Sequence, residues 1–338
     1  MVNKNIIGKF LNGQVQFKQF DKNYANLAKN HQNSLTKPKG SLGKLEKYAI
    51  WMAGWQKKEK PTMDNFQCLV FVGNHGIAKR NVSAYPSKVT EQMVKNFKNG
   101  GAAINQLCDL SNISLSVIPI NLDKPTKDFS EEKAMNHSET LHAMQLGYYS
   151  VPKKCDLLIL GEMGISNTTS ATAISCALFN TPVKKWTGLG TGISEKILKN
   201  KISIIKKGLK LHGKKFDSVI EILSCYGGRE MAAIAGSVIA ARVRGIPILL
   251  DGFVSTASAA TLTIFNKKIL EHCLISHLSS EPGHKGIIFK LKKEPILDLN
   301  MKLGEASGGA VAALIVKAAL VTHNKMATFS EAGVNKKN

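Results

Sequence analysis

The spacing of apolar residues changes near residue 61. Up to Pro61 the chain is polar and lysine-rich, with apolar residues at helical intervals. That spacing predicts helices over 17–30 and 41–58, joined by the glycine and proline loop LTKPKGSLGKLE (35–46), with Ser41 or a neighbour as the cap. Beyond Pro61 short apolar runs alternate with longer helical segments. The runs predict strands at 68–73, 115–120, 156–160, 220–225, 246–250 and 272–277. The segments between them predict helices at 87–98, 102–110, 138–149, 168–178, 195–212, 229–242 and 256–265. A strand apolar on both faces must be covered on both faces, so the expected class is α/β, with a six-stranded parallel sheet between helical layers. The polar segment 122–137 reads as a surface loop, and the chain contains no internal repeat.

In an open parallel sheet, ligands bind beyond the carboxyl ends of the strands. The segments following the predicted strands are GNHG (73–76), SAYPSKVTEQM (83–93), GEMGISNTTSA (161–171), YGGRE (226–230), DGFVSTAS (251–258) and LSSEPGH (278–284), with TGLGTG (187–192) after a further short apolar run. Segments so rich in Gly, Ser, Thr and acids let a ligand approach the backbone closely. Their gathering on one edge predicts a binding cleft there. In GEMGISNTTSA, Glu162 stands just past a buried strand, Gly164 permits a tight turn, and Asn167, Thr168 and Thr169 are the expected caps of a helix whose free amides suit an anion. TGLGTG is not a GxGxxG fingerprint and no acid stands about 20 residues beyond it, which argues against NAD; as a Gly/Thr nest it suits a phosphate. No GKS/T motif of a nucleotide triphosphatase occurs.

Near the carboxyl end, MKLGEASGG (301–309) sets Glu305 among glycines ahead of the nearly uniform apolar segment Ala310–Leu320. Such a helix is buried all round, so the turn before it is held inside and carries Glu305 with it. Burial raises a carboxyl pKa and makes the group a candidate general base. The competing reading is a carboxylate that merely satisfies helix amides; this segment alone leaves the two evenly balanced.

Composition narrows the alternatives. The net charge is +22, from 46 Lys and Arg against 24 Asp and Glu. That balance raises nucleic-acid binding as a second hypothesis, but the lysines are dispersed, no block reaches five, and no aromatic residues interleave with them. The six cysteines are scattered without a CxxC pair and read as reduced core residues. No apolar run reaches the ~20 residues that span a bilayer, and a cytoplasmic location is expected. A third hypothesis, a metal-dependent hydrolase, would use His277, Glu281 and His284, although Pro282 and Gly283 break the helix that would align them. His75 in GNHG reads more readily as a structural hydrogen-bonding group than as a catalyst.

Taken together, KPKGSLGKLE, GNHGI, VSAYPSKVTEQMV, NGGAAIN, GEMGISNTT, TGLGTG, GGREMAAIAG, PILLDGFVST, LSSEPGH, LDLNMKLGEASGGAVA and MATFSEAGV closely resemble the nicotinate-nucleotide–dimethylbenzimidazole phosphoribosyltransferase family of cobalamin synthesis, in order from about Leu35 to Val334. The resemblance implies a Rossmann-like large domain (62–321), a small helical domain from both chain ends (1–61 with about 322–338), and a homodimer whose neighbouring subunit completes the active site. It implies transfer of phosphoribose from nicotinate mononucleotide to 5,6-dimethylbenzimidazole, or in an alternative reading to a different azole or phenolic acceptor. The pyridinium leaves as a neutral ring, so departure needs neither a metal nor a cofactor. The incoming benzimidazole must lose one proton, and Glu305 resembles the family's base. Glu162 matches a carboxylate that would support the oxocarbenium-like sugar. Gly164, Gly190, Thr191, Gly192 and Ser279 match nucleotide-binding loops, Lys201 and Lys302 fall where basic residues near the phosphate are expected, and Tyr85, Met93 and Leu303 match the acceptor pocket. Asn74 replaces a common aspartate and Leu189 a common arginine of these motifs. Neither change removes the base.

Overall fold

The computed structural model describes residues 5–190 and 192–335. Its sheet contains β1 (Phe66–Val72), β2 (Ser114–Pro119), β3 (Leu157–Met163), β4 (Ile248–Leu250), β5 (Cys273–His277) and β6 (Pro295–Leu297), all parallel, in the order β2-β1-β3-β4-β5-β6. The chain runs outward from β1 to β2 and then returns to the other side of β1 with β3. The topological switch therefore lies between β1 and β3, where ligand crevices form in such sheets.

Alternation along the strands builds two cores. Leu69 and Phe71 face the helices His137–Ser150, Arg229–Arg244 and Phe253–Ala260, while Cys68, Val70 and Val72 face Ser307–Lys325, Ala103–Ser111 and Lys44–Gln56. Ala310, Ala312, Ala313, Val316 and Leu320 are all buried, as the apolar run predicts.

The two chain ends meet beside the second core. Leu35 pairs with Thr328 in an isolated antiparallel bridge, the Thr36 N–H donates to the Ala327 carbonyl at 3.0 Å, and Gln32 Nε2 donates to His323 Nδ1 at 2.8 Å. Helix Ile6–Leu11 lies elsewhere, its Phe10 ring packed on Phe17 and Phe265. No described helix is long and apolar enough to cross a membrane.

Several sequence expectations need correction. The run 220–225 is not a strand. It lies in helix Val219–Tyr226, started by Ser218, whose hydroxyl accepts from the Glu221 N–H. Its apolar residues Ile220, Ile222, Leu223 and Cys225, interrupted by Glu221 and Ser224, fit a buried helical turn as well as a strand. The sixth strand is instead Pro295–Leu297, a half-buried edge strand of three residues. Consequently YGGRE joins two helices rather than following a strand. Ser41 caps nothing: helix Lys44–Gln56 begins after Gly43 without a side-chain cap. The 122–137 segment is irregular as expected, yet it sends Phe129 and Met135 into the core.

Candidate active site

The carboxyl ends of β3, β4, β5 and β6 converge on a cleft of about 730 Å³. It is lined by Glu162, Gly164, Gly190, Lys201, Ser279, Lys302, Leu303, Glu305, Tyr85 and Met93. Ten residues expected from the sequence thus share one space. Gly192 does not line it, and Thr191 lies outside the described residues.

Glu305 arrives on a tight turn. Gly304, Glu305 and Ala306 all have left-handed backbones, with φ of 83°, 60° and 63°. Two consecutive non-glycine residues in that region are strained and need to be held. The Glu305 N–H donates to the Glu162 carbonyl at 3.1 Å, so the two carboxylate-bearing segments are tied through their backbones. Gly161 makes this approach possible, because a Cβ there would lie 2.4 Å from the Ala306 nitrogen.

The amides beyond the turn bear on the role of Glu305 because another carboxylate takes them. Asp251, fully buried after β4, accepts from the Ala306 N–H at 3.2 Å through Oδ2 and from the Gly309 N–H at 2.9 Å through Oδ1. Asp251 therefore serves as the helix-end carboxylate, which leaves the Glu305 side chain to the cleft. Burial, and then the charge of Asp251, push the Glu305 pKa up to about 7. Glu162 accepts from Asn167 Nδ2. Its pKa is pushed up to about 8 by burial first and by Asp251, Glu230 and Glu305, against the lowering effect of that hydrogen bond. Asn167 is accordingly a partner of Glu162 and not a cap. Helix Asn167–Phe179 instead follows Ser166, itself left-handed at φ 77°, and no side chain caps it.

On the far side of the cleft, Lys201 is buried and donates to Thr168 Oγ1 at 2.9 Å and to the Gly188 carbonyl at 3.4 Å. Burial draws its pKa down and Glu281 opposes this. The Gly190 N–H donates to Glu281 Oε1 at 2.6 Å, so that amide already holds a carboxylate. Tyr85 and Leu303 are half exposed at the rim, with Met93 further in.

Of the residues considered as metal ligands, Glu281 and His284 serve as hydrogen-bonded struts. His284 Nδ1 accepts from the Ser279 N–H at 3.0 Å, leaving Nε2–H to donate to Thr256 Oγ1 at 3.1 Å. Burial takes the His284 pKa down to about 3. Among the described residues, no group of three or more His, Cys, Asp or Glu side chains is placed to hold a metal ion. His75 is likewise structural: its Nε2 pairs with Glu230 Oε1 at 2.6 Å and its Nδ1 meets Ser170 Oγ at 3.2 Å.

Asp251 and Glu230 act on the site's carboxylates from beneath the cleft, and neither carries a site role in the sequence reading. Asn167 enters it in a role other than the expected cap, and His277 in a role other than the metal ligand of the third hypothesis. For Asp251 a signal exists, since it follows an apolar strand as Glu162 does. Nothing local indicates that it caps a helix more than fifty residues away.

The family model described as Phosphoribosyltransferase matches residues 17–334. A protein of Mesorhizobium japonicum named nicotinate-nucleotide–dimethylbenzimidazole phosphoribosyltransferase is 50% identical over 306 residues, covering 90% of this chain and 91% of its own length. The protein of that name from Cereibacter sphaeroides is 44% identical over 317 residues, 94% of each chain. The crystal structure of the Thermus thermophilus protein of that name superposes with a TM-score of 0.87 at 32% identity, over 94% of this chain and 100% of its own.

Proposed function

The chain belongs to the nicotinate-nucleotide–dimethylbenzimidazole phosphoribosyltransferase family, and on that premise we propose how its cleft carries out the reaction. The enzyme transfers the phosphoribosyl group of nicotinate mononucleotide to 5,6-dimethylbenzimidazole, giving α-ribazole 5′-phosphate and nicotinate. The observation that carries the mechanism is the pairing of Glu305 with Glu162 across one backbone hydrogen bond, at the deep end of a cleft with an apolar rim.

In our reading the nucleotide lies along the uncapped end of helix Asn167–Phe179. Its phosphate is taken by Lys201 with Gly164, Ser279 and the 190–192 loop, and Lys302 adds charge at the mouth. The Gly190 N–H becomes available to the phosphate only as Glu281 gives it up. The acceptor lies among Tyr85, Met93 and Leu303. One azole nitrogen attacks C1′ as the C1′–pyridinium bond breaks, and the bonding pair stays on the departing ring nitrogen. The N–H proton of the other azole nitrogen passes to the Glu305 carboxylate. A base whose pKa lies near the working pH suits this transfer. Glu162, raised to about 8 in the empty cleft, is largely protonated at neutral pH. The pyridinium favours its ionised form, so nucleotide binding expels that proton and leaves a carboxylate beside the developing sugar cation.

We also propose a homodimer, the partner subunit covering the half-exposed Tyr85, Leu189 and Leu303 at the rim, with segments from both chain ends forming a small domain (1–61 with about 322–338) from which helix Ile6–Leu11, packed on the first core, stands apart. A cytoplasmic location fits this reading. Sedimentation at micromolar concentration checks the dimer. The activity is tested by incubating the protein with nicotinate mononucleotide and 5,6-dimethylbenzimidazole: release of nicotinate together with a benzimidazole riboside phosphate supports it. Release only with a different azole or a phenol favours the alternative acceptor.

A further inference from the structure

We propose that Asp251 is a positioning residue for the reaction, one that clamps the Glu305 turn from below and fixes where the base faces the acceptor. The inference rests on the assignment of Glu305 as the base. Three observations support it. The carboxylate is fully buried and spans the turn, one oxygen on the Ala306 N–H and the other on the Gly309 N–H. These contacts hold Glu305 and Ala306 in consecutive left-handed conformations that neither residue adopts by preference. The clamp also comes from β4, the strand beside β3, so the segments carrying Glu162 and Glu305 are braced by the same sheet edge.

The arrangement has a second consequence. A negative charge fixed just beneath Glu305 discourages its ionisation and keeps it basic enough to take the azole proton. The groups facing Glu305 are Asp251 after β4, Glu162 on β3, and His277 at the end of β5, with Lys302 on its own loop at the mouth. Glu230 on helix Arg229–Arg244 acts on Glu162 and is itself paired with His75. Burial pushes the Asp251 pKa up, and His277, whose Nε2 stands 3.6 Å from Asp251 Oδ1, opposes this. Neither ring nitrogen of His277 has a hydrogen-bond partner among the described residues, so its influence on Asp251 is through space.

A positioning role differs from a merely structural one in its coupling to the base. Asp251→Asn puts amide hydrogens against a backbone N–H. It should lower kcat by about 100-fold, the cost of a small displacement of a reacting group, with the KM for nicotinate mononucleotide changed less than ~3-fold. The acidic limb of the kcat profile should move toward lower pH. In a Glu305→Gln background the same substitution should cost less than ~3-fold further, because no base remains to be positioned. Asp251→Glu keeps the charge but displaces the carboxylate, so it should lower kcat while leaving the limb high; it also serves if Asp251→Asn does not fold. Equal losses in the wild-type and Glu305→Gln backgrounds, or wild-type kcat in Asp251→Glu, would overturn the proposal. Absence of nicotinate release by the wild-type enzyme would instead overturn the underlying assignment of function, which makes the two failures distinguishable.

Discussion

Two helices start at the cleft, and their first turns are built alike but used differently. Asn167–Phe179 follows the left-handed Ser166, and Ser307–Lys325 follows the left-handed Ala306. Neither receives a cap from its own N-terminal side chain. At the second, however, Asp251 reaches across from β4 and takes two amides. A helix start satisfied by a fixed carboxylate is closed to ligands and becomes a rigid platform. A helix start left open toward the cleft, with a buried lysine beside it, is ready for an anion. The difference matches the proposed mechanism, which puts the chemistry at the closed start and the phosphate at the open one.

Substitutions can break this division, beginning with the largest expected effect. Glu305→Ala should lower kcat by about 100- to 10,000-fold, the range for losing a general base, while nicotinate mononucleotide still binds; calorimetric titration beside steady-state rates checks both halves. Glu162→Gln should act on stability as well as rate. The folded-state pKa of Glu162 lies near 8, above the ordinary 4.5. Its protonated form is therefore the one that folding favours. Its contribution is fully present below about pH 4.5 and is lost as the pH rises through 8. Thermal melts should show Glu162→Gln stabilised over wild type at pH 9, by up to ~5 kcal/mol, and little changed at pH 5. A stabilisation independent of pH would remove the reason for regarding Glu162 as protonated in the empty site.

Next, Lys201→Met should raise the KM for nicotinate mononucleotide by about 10- to 100-fold, the value of a charge-assisted contact, with a smaller change in kcat. A rise confined to the KM for the acceptor would place Lys201 on the wrong side of the division. The smallest effect is expected at the rim. Leu303→Ala should raise the acceptor KM severalfold, consistent with about 1 kcal/mol for a half-exposed apolar contact, and leave the nucleotide KM unchanged.

The legible parts of the molecule are those written locally. The helix 195–212 has the ends its pattern predicts, because Ser194 caps a strongly amphipathic stretch. β1 and β5 are short, mostly apolar runs, and they too lie within a residue or two of expectation. Ile220–Cys225 misleads because four apolar residues in a stretch of six carry no usable period. Pro295–Leu297 escapes because three half-buried residues at a sheet edge resemble a loop. The same limit governs the site. Glu162 and Glu305 each stand in a local context that signals chemistry, a strand end and a glycine turn. Asp251 does its work through amides far along the chain, and Glu281 occupies the Gly190 amide from another loop. Such long-range pairings are set by the packing of the sheet and leave no trace in spacing.

The account stands on Glu305 being the group that accepts the azole proton. The direct test is the pH dependence of kcat for nicotinate release with 5,6-dimethylbenzimidazole, measured on the wild-type enzyme and on Glu305→Gln. The wild-type rate should rise with pH through an acidic limb near 7 to a plateau, and the variant should be slow and lack that limb. A variant that keeps both the limb and a near-wild-type plateau would contradict the assignment.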